Sequence, residues 1–285
     1  MADTDMSTPR SRQRPAKDAT ASACVLSGLG INTEREMAHA FGLAGAGARI
    51  IHVNDLMAEP EALTTFAILA VPGGFSYGDH IGSGVMLAAR MARQLRDPLR
   101  RFVDAGGLVL GVCNGFQVLV RLGMLPASDG EWRQEVALVH NSSGRFVDRW
   151  VRVAFGSPHC VWTRGLAPLD LPVRHGEGRL VTDDTTLARM KATGLVAARY
   201  TGPDNGSHDP LPYPANPNGS RGAIAGLCDP SGRVFGLMPH PEAYLYPQLH
   251  PLWRRRTGRA DPERPPTDDA LQLFRNAVAH VSASG

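Results

Sequence analysis

The chain has 285 residues, 43% of them hydrophobic and 20% charged, with a formal net charge of +3. That length allows one large α/β domain or two small ones, and the composition is that of an ordinary globular protein. So small a charge gives no argument for nucleic acid, which calls for a concentrated basic stripe, and no apolar run reaches the about 18 residues of a membrane span.

In chain order, residues 1–21 mix Pro, Ser, Thr and both charge signs and read as a disordered tail with no signal-peptide core. Cys24-Val-Leu-Ser-Gly28 is a first strand, and Glu34 to Leu43 a helix with Met37, Ala38 and Phe41 on one stripe and Thr33 as N-cap. Arg49–Val53 and Phe66–Val71 are further strands, the latter running into Pro72-Gly73-Gly74. A helix is predicted over about 84–96. Pro98 should end or kink it, and Asp97-Pro98 suits a fresh start that runs to about Val103. Arg90, Arg93, Arg96, Arg100 and Arg101 fall largely off its apolar stripe, as a solvated face or a partner contact.

Leu108–Val112 is a fourth strand and Asn114–Arg121 begins another helix. Strands then recur near Val136–Val139, Trp150–Ala154, Leu195–Tyr200, Ala223–Cys228 and Val234–Met238, with a hairpin turn at Asp229–Gly232. A Pro- and Arg-rich loop over about 247–266 precedes a last helix near 267–281. Strand–helix alternation with short connections predicts a three-layer α/β/α fold with a mostly parallel central sheet, in one domain over residues 22–285.

The four cysteines, Cys24, Cys113, Cys160 and Cys228, are far apart and form no C-x-x-C pair. This excludes a zinc knuckle and a thioredoxin motif, leaves no metal site to propose, and points to free thiols in a reducing cytoplasm. Cys113 stands in G-x-C-x-G between a strand and a helix, the ingredients of a nucleophile elbow. A helix N-terminus there would favour a thiolate and an oxyanion. Cysteine is also among the most buried residues, so a core thiol is the competing reading.

A thiol nucleophile wants a base. His240 precedes Pro241, which favours extended geometry, and residues two apart in an extended segment face one way. His240 and Glu242 would then complete a Cys–His–Glu triad, unless they are a surface pair in a Pro-rich turn. Gly73-Gly74 at a strand end is either a plain turn or a loop whose Gly74 N–H joins that of Asn114 in an oxyanion hole. No phosphate-binding glycine motif is present.

Taken together, Pro72-Gly73-Gly74, GVCNGFQ at 111–117 and His240-Pro241-Glu242 resemble the class I, triad-type glutamine amidotransferases, whose fold is flavodoxin-like. VPGGFSYGDHIGSG, GVCNGFQVL, RHGEGRLV (174–181), NPNGS (216–220) and GLMPHPE are similar, in order, to the glutaminase subunits of phosphoribosylformylglycinamidine synthase. The resemblance implies attack of Cys113 on L-glutamine, His240 shuttling protons, Glu242 orienting His240, and Gln117, Gly73 and Phe75 on the substrate side. It implies an ATP-dependent synthetase partner, which would hold ATP and Mg and receive ammonia through a tunnel, and no cofactor in this chain. It gives the 174–181 turn no role beyond a place near the partner or the ammonia exit. Thr33 stands where many members have Cys, the stretch after Glu242 is longer, and the N-terminal tail is extra. Two other readings are a cysteine-elbow hydrolase or chaperone-like protein of the same broad fold, which would lack H-P-E, and a non-catalytic scaffold.

Overall fold

A computed structural model describes residues 21–205, 210–257 and 268–284. The predicted tail lies outside them except for Ala21, which is already buried, and most of the second half of the 247–266 loop also falls outside.

The first half alternates strand and helix: β1 (Ser22–Ser27), α1 (Glu34–Leu43), β2 (Gly47–His52), α2 (Val53–Ala58), β3 (Ile68–Val71), α3 (Val85–Gln94), α4 (Arg96–Asp104), β4 (Leu108–Val112) and α5 (Asn114–Arg121). The second half is strand-rich: β5 (Ala137–His140), β6 (Val147–Phe155), β7 (Leu169–His175), β8 (Glu177–Val181), α6 (Asp184–Ala192), β9 (Val196–Thr201), β10 (Ile224–Cys228) and β11 (Val234–Leu237). Two more helices follow, α7 (Trp253–Thr257) and α8 (Asp268–Ser284).

Nine strands form one sheet in the order β2-β1-β3-β4-β11-β10-β9-β6-β7. The first five are parallel neighbours, and the remainder is added by antiparallel pairing through the predicted hairpin at Asp229–Gly232. Every residue of β3, β4, β10 and β11 is buried, which is why those segments read as unbroken apolar runs. The crossover from β1 to β2 runs one way along the sheet and that from β3 to β4 the other. Right-handed connections therefore put α1 and the α3–α4 pair on opposite faces. Phe41 of α1 meets Phe274 of α8 edge to face, with centroids 5.1 Å apart, on the α1 side.

Two local expectations are corrected. The 84–96 helix breaks at Leu95 (φ −121°, ψ 0°), not at Pro98. Pro98 sits in the first turn of α4, where its missing N–H costs no helical bond. Thr33 occupies the N-cap position of α1 but its hydroxyl does not cap the helix; it accepts the Gly73 N–H at 2.9 Å.

Candidate active site

All the chemistry-bearing loops of the parallel half emerge at the carboxyl ends of their strands, where open α/β sheets bind ligands. Cys113 follows β4, Gly73 and Gly74 follow β3, His240 follows β11, and Thr33 lies beyond β1.

Cys113 has φ 51° and ψ −106°, a strained conformation for a residue with a side chain. Its N–H still continues the β4–β11 ladder by donating to Leu237 O at 2.8 Å, and α5 starts at the next residue. This is the sharp strand-to-helix turn of an elbow. Gly115 makes it possible: a Cβ there would lie 1.8 Å from Val71 O. The contrast with Cys24 is instructive, since burial pushes that thiol up to about 12, against a smaller opposite pull from Arg49, and it sits inert within β1.

His240 Nδ1 and Glu242 Oε1 are 2.7 Å apart, and both side chains are buried. His240 is extended, as its place before Pro241 predicts (φ −106°, ψ 91°), but Pro241–Ala243 is a 3-10 turn. Glu242 therefore reaches the imidazole by the chain curling back, not by alternation along a strand. Burial pulls the His240 pKa down, but the Glu242 carboxylate and the Cys113 sulfur outweigh it and push the imidazole up to about 10. Nδ1 is taken by Glu242 and Nε2 is buried; the Cys113 sulfur lies close enough to raise the imidazole pKa both through charge and as a hydrogen-bond partner. A methyl group at Gly73 would lie 2.8 Å from His240 Cε1 and 3.5 Å from Cys113 Cβ, so thiol and imidazole converge on one point.

Gly74 has φ 140° and pairs with Ile31 in an isolated bridge. The bridging bonds are Phe75 N–H to Gly30 O at 2.7 Å and Asn32 N–H to Gly73 O at 3.1 Å, so the Gly74 N–H takes no part in them. Neither it nor the Asn114 N–H at the start of α5 has an acceptor among the described residues. Asn114 is fixed by its side chain, which accepts from Ser76 N–H at 3.1 Å and donates to Gln117 Oε1 at 3.0 Å. Gln117 in turn donates to Glu177 O at 2.7 Å, so its amide ties the elbow to β8. Phe75 is exposed beside Phe146, with ring centroids 6.3 Å apart.

The geometry is that of a thiol on a strained strand-to-helix turn, a carboxylate-paired imidazole and two unspent amide donors. The model of the CobB/CobQ-like glutamine amidotransferase domain matches residues 20–281. The chain belongs to this amidotransferase family. It is 40% identical over 269 residues to the phosphoribosylformylglycinamidine synthase subunit PurQ of Methanococcus maripaludis, covering 90% of this chain and 96% of that one. The PurQ subunit of Dehalococcoides mccartyi is 41% identical over 252 residues, covering 87% of this chain and 93% of its own. The solved structure of PurLQS from Thermotoga maritima superposes with a TM-score of 0.67 at 27% identity, covering 91% of this chain and 98% of that one.

In this amidotransferase the 174–181 segment is not a flexible turn but the end of β7 and all of β8. It walls the elbow: the Cys113 thiol lies 3.7 Å from Arg174 O, and Glu177 O holds Gln117. The NPNGS segment braces that wall, with Asn218 Nδ2 donating to Gly178 O at 2.8 Å and Leu180 N–H donating to Ser220 Oγ at 3.0 Å. Tyr200, whose hydroxyl accepts from Asn218 Nδ2 at 3.2 Å, is close enough to feel the charge of Cys113. Local pattern marks neither Tyr200 nor His175 as a site residue, because each meets the site only through tertiary contacts; the H-G-E-G-R motif is the one available signal.

The arginine face is largely solvated, with Arg93, Arg96 and Arg101 exposed, but part of its charge is engaged within the chain. Arg96 and Arg100 donate to backbone oxygens of the 122–132 loop and lie over the Trp132 ring, and Arg90 reaches Tyr77 and Asn54. That part of the charge staples the chain to itself.

Proposed function

We propose that this chain is the glutamine-hydrolysing subunit of a phosphoribosylformylglycinamidine synthase and that Cys113, His240 and Glu242 are its catalytic residues. The observation that carries the reading is the 2.7 Å His240–Glu242 pair facing the same point as a strained Cys113. The PurQ names of relatives that align along nearly their whole length support the assignment of the reaction.

Cys113 Sγ attacks the side-chain carbonyl carbon of L-glutamine. The carbonyl electrons move to oxygen, which the Gly74 and Asn114 N–H groups receive. Collapse breaks the C–N bond as His240 gives its proton to the nitrogen, leaving ammonia and a γ-glutamyl thioester. His240 then takes a proton from water, hydroxide attacks the thioester, and glutamate leaves with the thiolate restored. Glu242 holds the ring so that Nε2 faces the reaction and steadies its charge. Gly73 leaves room where thiol, imidazole and substrate meet, Phe75 stands at the exposed edge, and Gln117 holds the wall.

The second product serves an ATP-dependent synthetase partner. The structure of PurLQS from Thermotoga maritima, with 27% identity to this chain, supports such an assembly. ATP and Mg would act on that partner, where formylglycinamide ribonucleotide becomes formylglycinamidine ribonucleotide. We place the protein in the cytoplasm; among the described residues no helix is long and apolar enough to cross a membrane. The match to residues 20–281 supports one amidotransferase domain.

A glutamine-mimicking diazo-ketone tests the nucleophile. Peptide mapping should find the label on Cys113 and on none of Cys24, Cys160 or Cys228. Labelling elsewhere, with Cys113 unmodified, would refute the triad.

A further inference from the structure

Gly73 and Gly74 have no side chains to hold their loop in shape, and glycine leaves the backbone free to turn. The conformation is therefore set by what grips the peptide groups. Phe75 N–H donates to Gly30 O at 2.7 Å and Ser76 N–H to Asn114 Oδ1 at 3.1 Å. Gly73 is gripped on both sides by the turn that leads into α1. Asn32 N–H donates to its carbonyl at 3.1 Å, and Thr33 Oγ1 accepts its N–H at 2.9 Å. Along residues 73–76 the Gly74 amide alone has no acceptor among the described residues.

These bonds fix the direction of that free amide. A trans peptide sets its C=O and N–H on opposite sides. With the Gly73 carbonyl turned to Asn32, the Gly74 N–H points away from the 30–33 strip. Gly73 itself lies against the elbow. A Cβ there would stand 2.8 Å from His240 Cε1, 3.4 Å from Thr33 Oγ1 and 3.5 Å from Cys113 Cβ, so the threonine oxygen closes on the same point as the thiol and the imidazole.

Thr33 is a firm support. It is 9% exposed, and its carbonyl accepts Met37 N–H at 3.0 Å at the start of α1. Its hydroxyl does not cap the helix, so the oxygen is committed to the glycine loop. Without it the buried Gly73 N–H would lose its acceptor, a costly state that a glycine loop relieves by turning the peptide. We propose that Thr33 is a positioning residue for glutamine hydrolysis: its hydroxyl oxygen locks the Gly73 amide and so aims the Gly74 N–H at the oxygen that turns negative when Cys113 attacks. The inference rests on the glutaminase reading. An oxyanion draws on an aimed donor more strongly than a neutral carbonyl does, so the effect falls on the transition state rather than on substrate binding.

Three substitutions test this role in the complex with the synthetase, with glutamine and with free ammonia as nitrogen source. Thr33→Val keeps the branched shape and removes the oxygen, Thr33→Ala removes it without that shape, and Thr33→Ser keeps it. The expected result is a fall in glutamine-dependent kcat of about tenfold or more for Thr33→Val and Thr33→Ala, with KM held within about twofold. Thr33→Ser should stay within about twofold of wild type in both, and ammonia-driven synthesis should be unchanged in all three. Wild-type kcat in the two oxygen-free variants would overturn the proposal. A loss carried by KM, a parallel loss of ammonia-driven synthesis, or a Thr33→Ser as slow as Thr33→Val would overturn it too, and would make Thr33 a packing residue. A wild-type complex with no Cys113-dependent glutamine hydrolysis would instead bring down the glutaminase reading, and this inference with it.

Discussion

At the scale of single residues, the site joins groups whose roles are written locally to groups whose roles are not. Cys113, His240 and Glu242 are legible because each sits in a short pattern with its own physics: an elbow bounded by glycines, and an imidazole two residues from a carboxylate. His175, Tyr200 and Thr33 are not, since what they touch is 34, 18 and 40 residues away in sequence. The His240–Glu242 pair carries a pH signature. The folded His240 pKa of about 10 lies above its ordinary 6.5, so folding binds a proton there. The stabilisation is fully present below about 6.5 and is lost as pH rises through about 10. Glu242→Gln removes the strongest raising charge. Chemical denaturation should show its largest stability deficit against wild type at about pH 6.5 and below, narrowing as pH rises toward about 10. A deficit that is constant across that range would contradict the assignment. The same substitution should lower glutamine turnover roughly a hundredfold or more, through loss of the oriented base.

At the scale of elements, apolar strands declare themselves, and of the mixed ones β2 and β6 show but β7 does not. β3, β4, β10 and β11 are buried on every residue and stand out as apolar runs. β7 is absent from the predicted strands: its segment contains Asp170, Pro172 and Arg174, and the pattern looks like a loop until β6 pairs with it. α6 is absent too, although Asp183 caps it by accepting the Thr186 N–H at 2.8 Å and Gly194 follows its end. Its apolar stripe is thin, with only Thr186 and Met190 buried, so periodicity carries little signal. The packing of α5 on β3 yields a sharp expectation. Gly115→Ala sets a methyl 1.8 Å from Val71 O, and backbone cannot yield as a side chain does. Denaturation midpoints should fall by an amount worth about 3 kcal/mol or more, and a change below about 1 kcal/mol would show that strand and helix separate easily.

At the scale of the whole molecule, a parallel half carries the proposed nucleophile Cys113 and base His240, and the antiparallel pairings bring up the wall of β7 and β8. The first half is readable as alternating elements. The second is only partly so, because pairings such as β6 with β7 and β9 are set by tertiary fit and not by local pattern. Leu29, Phe75, Ile81 and Phe146 are exposed, and Phe75 and Phe146 lie side by side, an apolar pair that the proposed synthetase partner would cover. The isolated chain is therefore expected to be a slow glutaminase that accelerates when its synthetase binds; high turnover independent of partner would count against the subunit reading. The central claim, that Cys113 makes ammonia here for use elsewhere, is tested most directly by Cys113→Ala in the assembled complex. Formylglycinamidine ribonucleotide formation is measured with glutamine and, separately, with free ammonia. The account predicts that the glutamine-driven reaction is abolished while the ammonia-driven reaction keeps its wild-type rate; glutamine-driven synthesis that survives the substitution would contradict it.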